Sequence, residues 1–187
     1  DFSFPKNLTP SLIVYTRKAR CDSIDSANKG FKVVSKPDIR WKRCDIKTVS
    51  LLPAVLAKQA AVEEGAQEAW LVNEHGLVTE GTSSNAWIVS QKNELITRPV
   101  DNFILSGVTR KSVLNLVQKL GLVFVERAFS LDEAYHSKEA FITSSTALVK
   151  PVVQIDCKKI GKGRAGPVTK LLIKNYFEYI ENYYETH

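Results

Sequence analysis

Apolar positions along the chain follow two periods, and the switch between them marks the elements. Leu12–Thr16 and Phe31–Ser35 are short β-branched runs that predict strands, the second closed by Pro37. Residues 17–30 between them are polar and end at Gly30, so they read as a loop. Trp41–Ile46 reads as an extended lead into Lys47, after which the spacing becomes helical. Leu51, Leu52, Val55, Leu56 and then Gln59 or Ala60 share one stripe, expected to face the core. Ser50 is the expected N-cap, Pro53 fits the first turn, and Gly65 is the stop.

Strand spacing returns at Glu68–Val72 and Leu77–Glu80, a hairpin turned by residues 73–76. Ala86–Ser90 and Leu95–Arg98 form a second pair. Ile104–Arg110 runs into a helix with Val113, Leu116, Val117 and Leu120 on one face and Gly121 behind it. Leu122–Val125 is a strand, and Ser130 to Glu133 spell a capping box. Strands are expected at Ala140–Thr143 and Val149–Asp156. Gly166-Pro167 opens a last helix carrying Leu171, Leu172, Tyr176, Phe177 and Ile180. With no repeat and no linker, the order predicts one mixed α/β domain, its early hairpins antiparallel and its helices outside.

Composition narrows the function classes. At 187 residues the chain can bury one sizeable core. No apolar run reaches membrane-spanning length, and the odd, widely spaced Cys21, Cys44 and Cys157 imply no disulfide framework, so a cytoplasmic setting is expected. The net charge of +6 raises the question of nucleic acid, yet the cations are scattered and Lys158–Arg164 lacks interleaved aromatics, so no nucleic-acid role is expected. His75, His136 and His187 are too far apart for a metal site, and none is expected. The chain starts Asp-Phe-Ser-Phe-Pro and holds no methionine, which suggests a piece of a longer polypeptide.

The chemistry gathers around Gly76–Asn85, Gly-Leu-Val-Thr-Glu-Gly-Thr-Ser-Ser-Asn. Glu80 lies between two core-like strands, where a carboxylate is costly without a positive or hydrogen-bonding partner. It either is solvated or salt-bridged in a simple turn, or faces a cationic ligand. No Gly-x-Ser-x-Gly elbow occurs, and Gly161–Gly166 does not fit a P-loop. Lys47, Glu80 and two small or hydroxyl turns, Gly107–Thr109 and Ser144–Thr146, make the set that pyridoxal phosphate requires. Spacing alone does not select Lys47 among the lysines.

Five stretches in order carry a family resemblance: Arg43-Cys-Asp-Ile-Lys-Thr-Val-Ser-Leu-Leu52, Gly76–Asn85, Ile104-Leu-Ser-Gly-Val-Thr-Arg110, Ala140-Phe-Ile-Thr-Ser-Ser-Thr146 and Gly161–Lys170. Over nearly its whole length the chain resembles the class IV aminotransferases of pyridoxal-phosphate fold type IV, nearest to the D-amino-acid aminotransferase branch. Branched-chain aminotransferases and aminodeoxychorismate lyase are the relatives that supply alternatives. A non-catalytic binding domain is the distant one. The resemblance implies the large C-terminal cofactor-binding domain over 1–187, with residues 1–10 an interdomain segment and the N-terminal domain absent. It implies transamination between an amino acid, such as D-alanine, and a 2-oxo acid, in a homodimer when full length. Lys47 would be the Schiff-base lysine, Glu80 the partner of the ring nitrogen, and Leu105 a ring contact. Val108, Thr109, Ser144 and Ser145 would bind phosphate, Arg43 would support the site, and Thr146 would lie by the substrate carboxylate. An Arg-x-His carboxylate trap of that branch is not matched, its histidine position falling on Phe2. Without cofactor, solvent or a lysine, Lys47 foremost, is expected beside Glu80.

Overall fold

The structure, a computed structural model, describes residues 3–16, 18 and 23–186, with side chains to Asn182. Phe2, Cys21 and His187 lie outside these. Among the described residues nine strands form one sheet: β1 (Phe31–Pro37), β2 (Glu68–Val72), β3 (Val78–Gly81), β4 (Asn85–Val89), β5 (Leu95–Thr97), β6 (Phe124–Glu126), β7 (Glu139–Ser144), β8 (Leu148–Ile155) and β9 (Lys158–Lys159). The helices are α1 (Ile24–Asn28), α2 (Leu52–Glu63), α3 (Val108–Lys119), α4 (Leu131–Tyr135) and α5 (Pro167–Thr186).

The sheet runs β3-β2-β1-β8-β7-β4-β5-β6, with β9 on β8. Strand β1 is parallel to both β2 and β8, so the domain is mixed rather than a meander of hairpins. A tight connection forces this sheet to curl. Three residues, 82–84, join β3 to β4, a reach of roughly 14 Å, whereas five strand spacings across a flat sheet would separate them by about 24 Å. The two ends of the sheet are also stitched together. Leu77 bridges Ser130, the Val78 amide donates to the Phe129 carbonyl at 3.0 Å, and the Leu131 amide donates to the Gly76 carbonyl at 3.1 Å.

Period-two alternation then sorts the core. Val33, Trp70, Val78, Ala86, Ile88, Ile96, Ala140 and Ile142 fill the inside of the curl with Phe129. The intervening Trp87, Val89, Leu95 and Phe141 face outward under α3 and α5. Gly65 and Gly121 end α2 and α3 as expected, both at positive φ. The Ser130–Glu133 capping box forms as read.

Five expectations change. Leu12–Thr16 pairs with no strand, and Leu12, Ile13, Val14 and Tyr15 are exposed. The polar stretch before Gly30 holds α1, because the Ser23 hydroxyl caps it by accepting from the Ser26 amide and Ala27 is buried under it. Residues 38–51 form a turn-rich loop rather than an extended lead, so Lys47 follows a turn. The N-cap of α2 is Leu51, not Ser50.

The largest change concerns the face of α2. It packs on β1 and β2 through Ala54, Ala57 and Ala61. The wider stripe is outside: Leu52 is 67% exposed, Val55 55% and Leu56 54%. Helix α2 is apolar on both faces, and the small residues win the inner one because they allow close approach to the parallel pair. Among the described residues no helix is long and apolar enough to cross a membrane.

Candidate functional site

The seam where β3 comes round to β4 opens onto a cavity of about 480 Å³. Four segments meet there: the loop after β1, the β3–β4 turn, the start of α3 and the end of β7. Lys47, Glu80, Leu105, Val108, Thr109, Ser144 and Ser145 all line it. Arg43 does not line it; this guanidinium is exposed and paired with Asp45 at 2.9 Å. Thr146 lies one residue past the lining, exposed in the β7–β8 turn.

Glu80 is 5% exposed, and its partner is Arg40, not Lys47. Arg40 Nη1 donates to Glu80 Oε1 at 2.5 Å. The other carboxylate oxygen accepts from Asn85 Nδ2 and from the Leu105 amide, each at 3.1 Å. Arg40 is fixed in turn by Asp38, through Nε at 2.9 Å and Nη2 at 2.8 Å, and by the Phe103 carbonyl at 3.0 Å. Thr79 closes the set, its hydroxyl donating to Asp38 Oδ2 at 2.7 Å. The pairing follows from the chain path. Strand β1 delivers Asp38 and Arg40 two strands away from β3, while Lys47 comes after a further turn and is exposed.

Sequence reading missed Arg40 and Asn85, both of which line the cavity. The signal for Arg40 is the Pro37-Asp-Ile-Arg40 stretch, a carboxylate and a guanidinium just past a strand end. Asn85 already closes the Gly76–Asn85 motif. Its Nδ2 also donates to the Leu105 carbonyl at 2.9 Å, so one amide ties Glu80 to the turn before α3. A Cβ on Gly107 would overlap Asn85 Oδ1, so only glycine permits this approach.

Gly107 is the N-cap of α3 and supplies no side-chain cap. The first N–H groups of α3 therefore have no intrahelical partner, and no acidic residue lies in the first turn to compete for them. Thr109 is buried, and Ser144 and Ser145 line the same cavity as this helix start. Arg110 anchors the turn, with Nη2 on the Arg98 carbonyl at 2.9 Å and on Glu126 at 2.5 Å. Free N–H groups at a helix start are able to hold a phosphate monoester. An ionised carboxylate offers about four lone pairs, and three donors reach Glu80, which leaves room for one more N–H donor. Lys47 supplies an exposed amine on the same cavity. The donor set thus fits a phosphorylated ring with a protonated nitrogen and a carbonyl.

Burial is the main influence on Glu80 and raises its carboxyl to about 7 against Arg40, whose charge and hydrogen bond pull it down. For Asp38, burial also works upward, but Arg40 outweighs it and holds the carboxyl below its ordinary range. Burial opposes the Arg40 charge, and Asp38 and Glu80 more than offset that.

The fold is that of the aminotransferase domains in solved structures. A branched-chain amino acid aminotransferase from Thermobaculum terrenum in its PLP form matches with TM-score 0.76 and 27% identity, covering 85% of this chain and 53% of that one. The branched-chain amino acid aminotransferase from Escherichia coli matches with TM-score 0.70 and 28% identity, covering 79% of this chain and 52% of that one. The profile of the amino-transferase class IV family matches residues 1–155, and the chain belongs to that family. It is similar to D-alanine aminotransferase of Bacillus licheniformis, 45% identical over 163 residues, 87% of this chain and 56% of the relative. D-alanine aminotransferase of Staphylococcus aureus strain N315 is 36% identical over 184 residues, 98% of this chain and 64% of the relative. The chain therefore spans between 56% and 64% of the length of these relatives.

The raised Glu80 carboxyl has a consequence for stability. The folded chain keeps its proton up to about 7, whereas the unfolded chain releases it near 4.5. Glu80 therefore contributes stability that is full below 4.5 and is lost as pH rises to 7. The full change is about 3 kcal/mol. Chemical denaturation of the cofactor-free protein from about pH 4.5 to 8 is expected to show this decline, and Glu80→Gln to flatten it. Equal slopes in the two proteins would contradict the assignment.

Proposed function

We propose that this chain is the pyridoxal-phosphate-binding part of a transaminase acting between an amino acid, D-alanine in the first place, and a 2-oxo acid. The observation that carries the reading is that Lys47, Glu80, the open start of α3 and Ser144–Ser145 surround one cavity. The D-amino-acid choice is supported by the two D-alanine aminotransferases to which the chain is similar.

In this reading the first amides of α3, with Thr109, Ser144 and Ser145, hold the phosphate. Leu105 packs on the ring. Glu80 would accept the ring N–H with its remaining lone pair and keep it protonated, while Arg40 and Asn85 hold the carboxylate still. When bound, the cofactor supplies an electron sink next to the substrate Cα. Lys47 Nζ would be the group that holds the cofactor and, once free, the base that would move a proton at the substrate Cα. Its exposed position after a turn suits a group that must be released and return. Arg43, paired to Asp45 outside the cavity, supports the loop that presents Lys47, and Thr146 lies where the edge of the substrate would come.

The proposal includes a homodimer. The outer face of α2 carries Leu52, Val55 and Leu56 beside the cavity mouth, where Ser50 and Leu51 are already lining residues. An uncharged apolar face of this kind is self-complementary across a two-fold axis. Light scattering on full-length protein is expected to give a dimer, and the pair Leu52→Glu and Val55→Glu a monomer; a dimer that survives both changes places the contact elsewhere.

Pyridoxal phosphate added to full-length protein is expected to give a visible absorption band that borohydride abolishes, with the reduced cofactor mapped to Lys47. Lys47→Ala should lower keto-acid formation from D-alanine by at least about a thousandfold, the scale of a lost general base and covalent anchor combined. Labelling of another lysine would overturn the assignment, and faster turnover of L-valine than of D-alanine would overturn the substrate.

A further inference from the structure

A second buried carboxylate lies beside the site, and the chemistry above does not use it. Glu68 opens β2 on the inner face, in the row with Trp70, and is 2% exposed. Its nearest cation, Lys58, stands 3.9 Å away on a side chain 42% exposed. A carboxylate this deep must be held by hydrogen bonds. Apart from the neighbouring Ala69 amide, its donors come from the β3–β4 turn. Oε1 accepts from the Thr82 hydroxyl, from the Thr82 amide at 3.3 Å and from the Ala69 amide at 2.9 Å; Oε2 accepts from the Ser84 hydroxyl at 3.1 Å.

Two of the three hydroxyls after Glu80 therefore turn to Glu68. Ser83, between them, remains exposed at the cavity. The turn they pin is closed by the Gly81 amide donating to the Ser84 carbonyl at 2.7 Å, and a Cβ on Gly81 would overlap Ser84 Oγ. Glu80 enters this turn and Asn85 leaves it, and Asn85 is what joins Glu80 to Leu105.

We propose that Glu68 is a positioning residue: by clamping Thr82 and Ser84 it sets the β3–β4 turn that holds Glu80 and Asn85 in register and water away from Glu80. The inference deepens the reading above and also stands on the cofactor-free chain. Replacing Glu68 by leucine removes every acceptor and takes the partner from the buried Ser84 hydroxyl and the half-buried Thr82 hydroxyl. Glutamine keeps one acceptor, and its amide can donate to a hydroxyl that rotates to accept. The two variants therefore separate the clamp from simple packing.

The test follows the Glu80 carboxyl by infrared spectroscopy in cofactor-free full-length protein, and cofactor affinity by equilibrium dialysis. In Glu68→Leu, water admitted to the turn is expected to bring the Glu80 midpoint down from about 7 by about one pH unit. The same variant is expected to bind pyridoxal phosphate about tenfold more weakly. Glu68→Gln should stay within about threefold in affinity, with the midpoint in place. Leu172→Ala, on the buried side of α5 against the outer face of the sheet, serves as a control that lowers thermal stability without moving either reading. If Glu68→Leu does not fold, Ser84→Ala, which deletes one leg of the clamp, must shift the midpoint in the same direction. An unchanged midpoint and affinity in a folded Glu68→Leu protein would overturn the inference. Failure of the unaltered protein to bind pyridoxal phosphate would instead overturn the functional reading, leaving the midpoint shift to decide the role of Glu68.

Discussion

The structure depends on one buried ion pair placed where a curled sheet meets itself. Glu80 costs free energy inside the curl, and Arg40 offsets that cost only because Asp38 and the Phe103 carbonyl hold the guanidinium in place. Removing one partner of such a pair is far more damaging than never having it, by about 3–5 kcal/mol. The arrangement accordingly links β1, β3, the loop before α3 and the start of β4. Each contributes a polar group that only the folded chain brings together.

The same constraint explains why the cavity is a site rather than a gap. The β3–β4 turn must be short for the sheet to curl, and its shortness places Glu80 and Asn85 side by side. Asn85 reaches Leu105, so the carboxylate and the anion-ready end of α3 share one support. A ligand that carries a cationic N–H at one end and a phosphate at the other meets both at once. Arg40 leaves the carboxylate one acceptor position, which suits it to hold a ring N–H and not to bind a bare cation. Family membership in amino-transferase class IV accords with these groups.

Much of this is legible in the sequence because it is local. The capping box at Ser130, the glycine stops at Gly65 and Gly121, and the period-two strands depend on neighbours in the chain. Lys47, Glu80, Val108, Thr109, Ser144 and Ser145 are singled out by the family resemblance of their stretches rather than by spacing, and they share one cavity. What escapes is non-local. Arg40 looks like any cation after a strand until the parallel β1–β2 pair and the antiparallel β2–β3 pair carry it to Glu80. Helix α2 misleads because its stripe of larger apolar residues is the more hydrophobic face, yet close packing on a parallel pair selects alanines. Leu12–Thr16 has strand composition, but no edge in the described residues receives it.

The central claim is that Glu80, steadied by Arg40 and Asn85, keeps one acceptor position for a ring nitrogen whose charge holds it ionised. Isotope-edited infrared titration of Glu80 in full-length protein, with and without pyridoxal phosphate, tests it most directly. Without cofactor the carboxyl should titrate near 7; with cofactor bound, the added positive N–H should hold it ionised to at least about two pH units lower. A midpoint that does not move on binding would contradict the account.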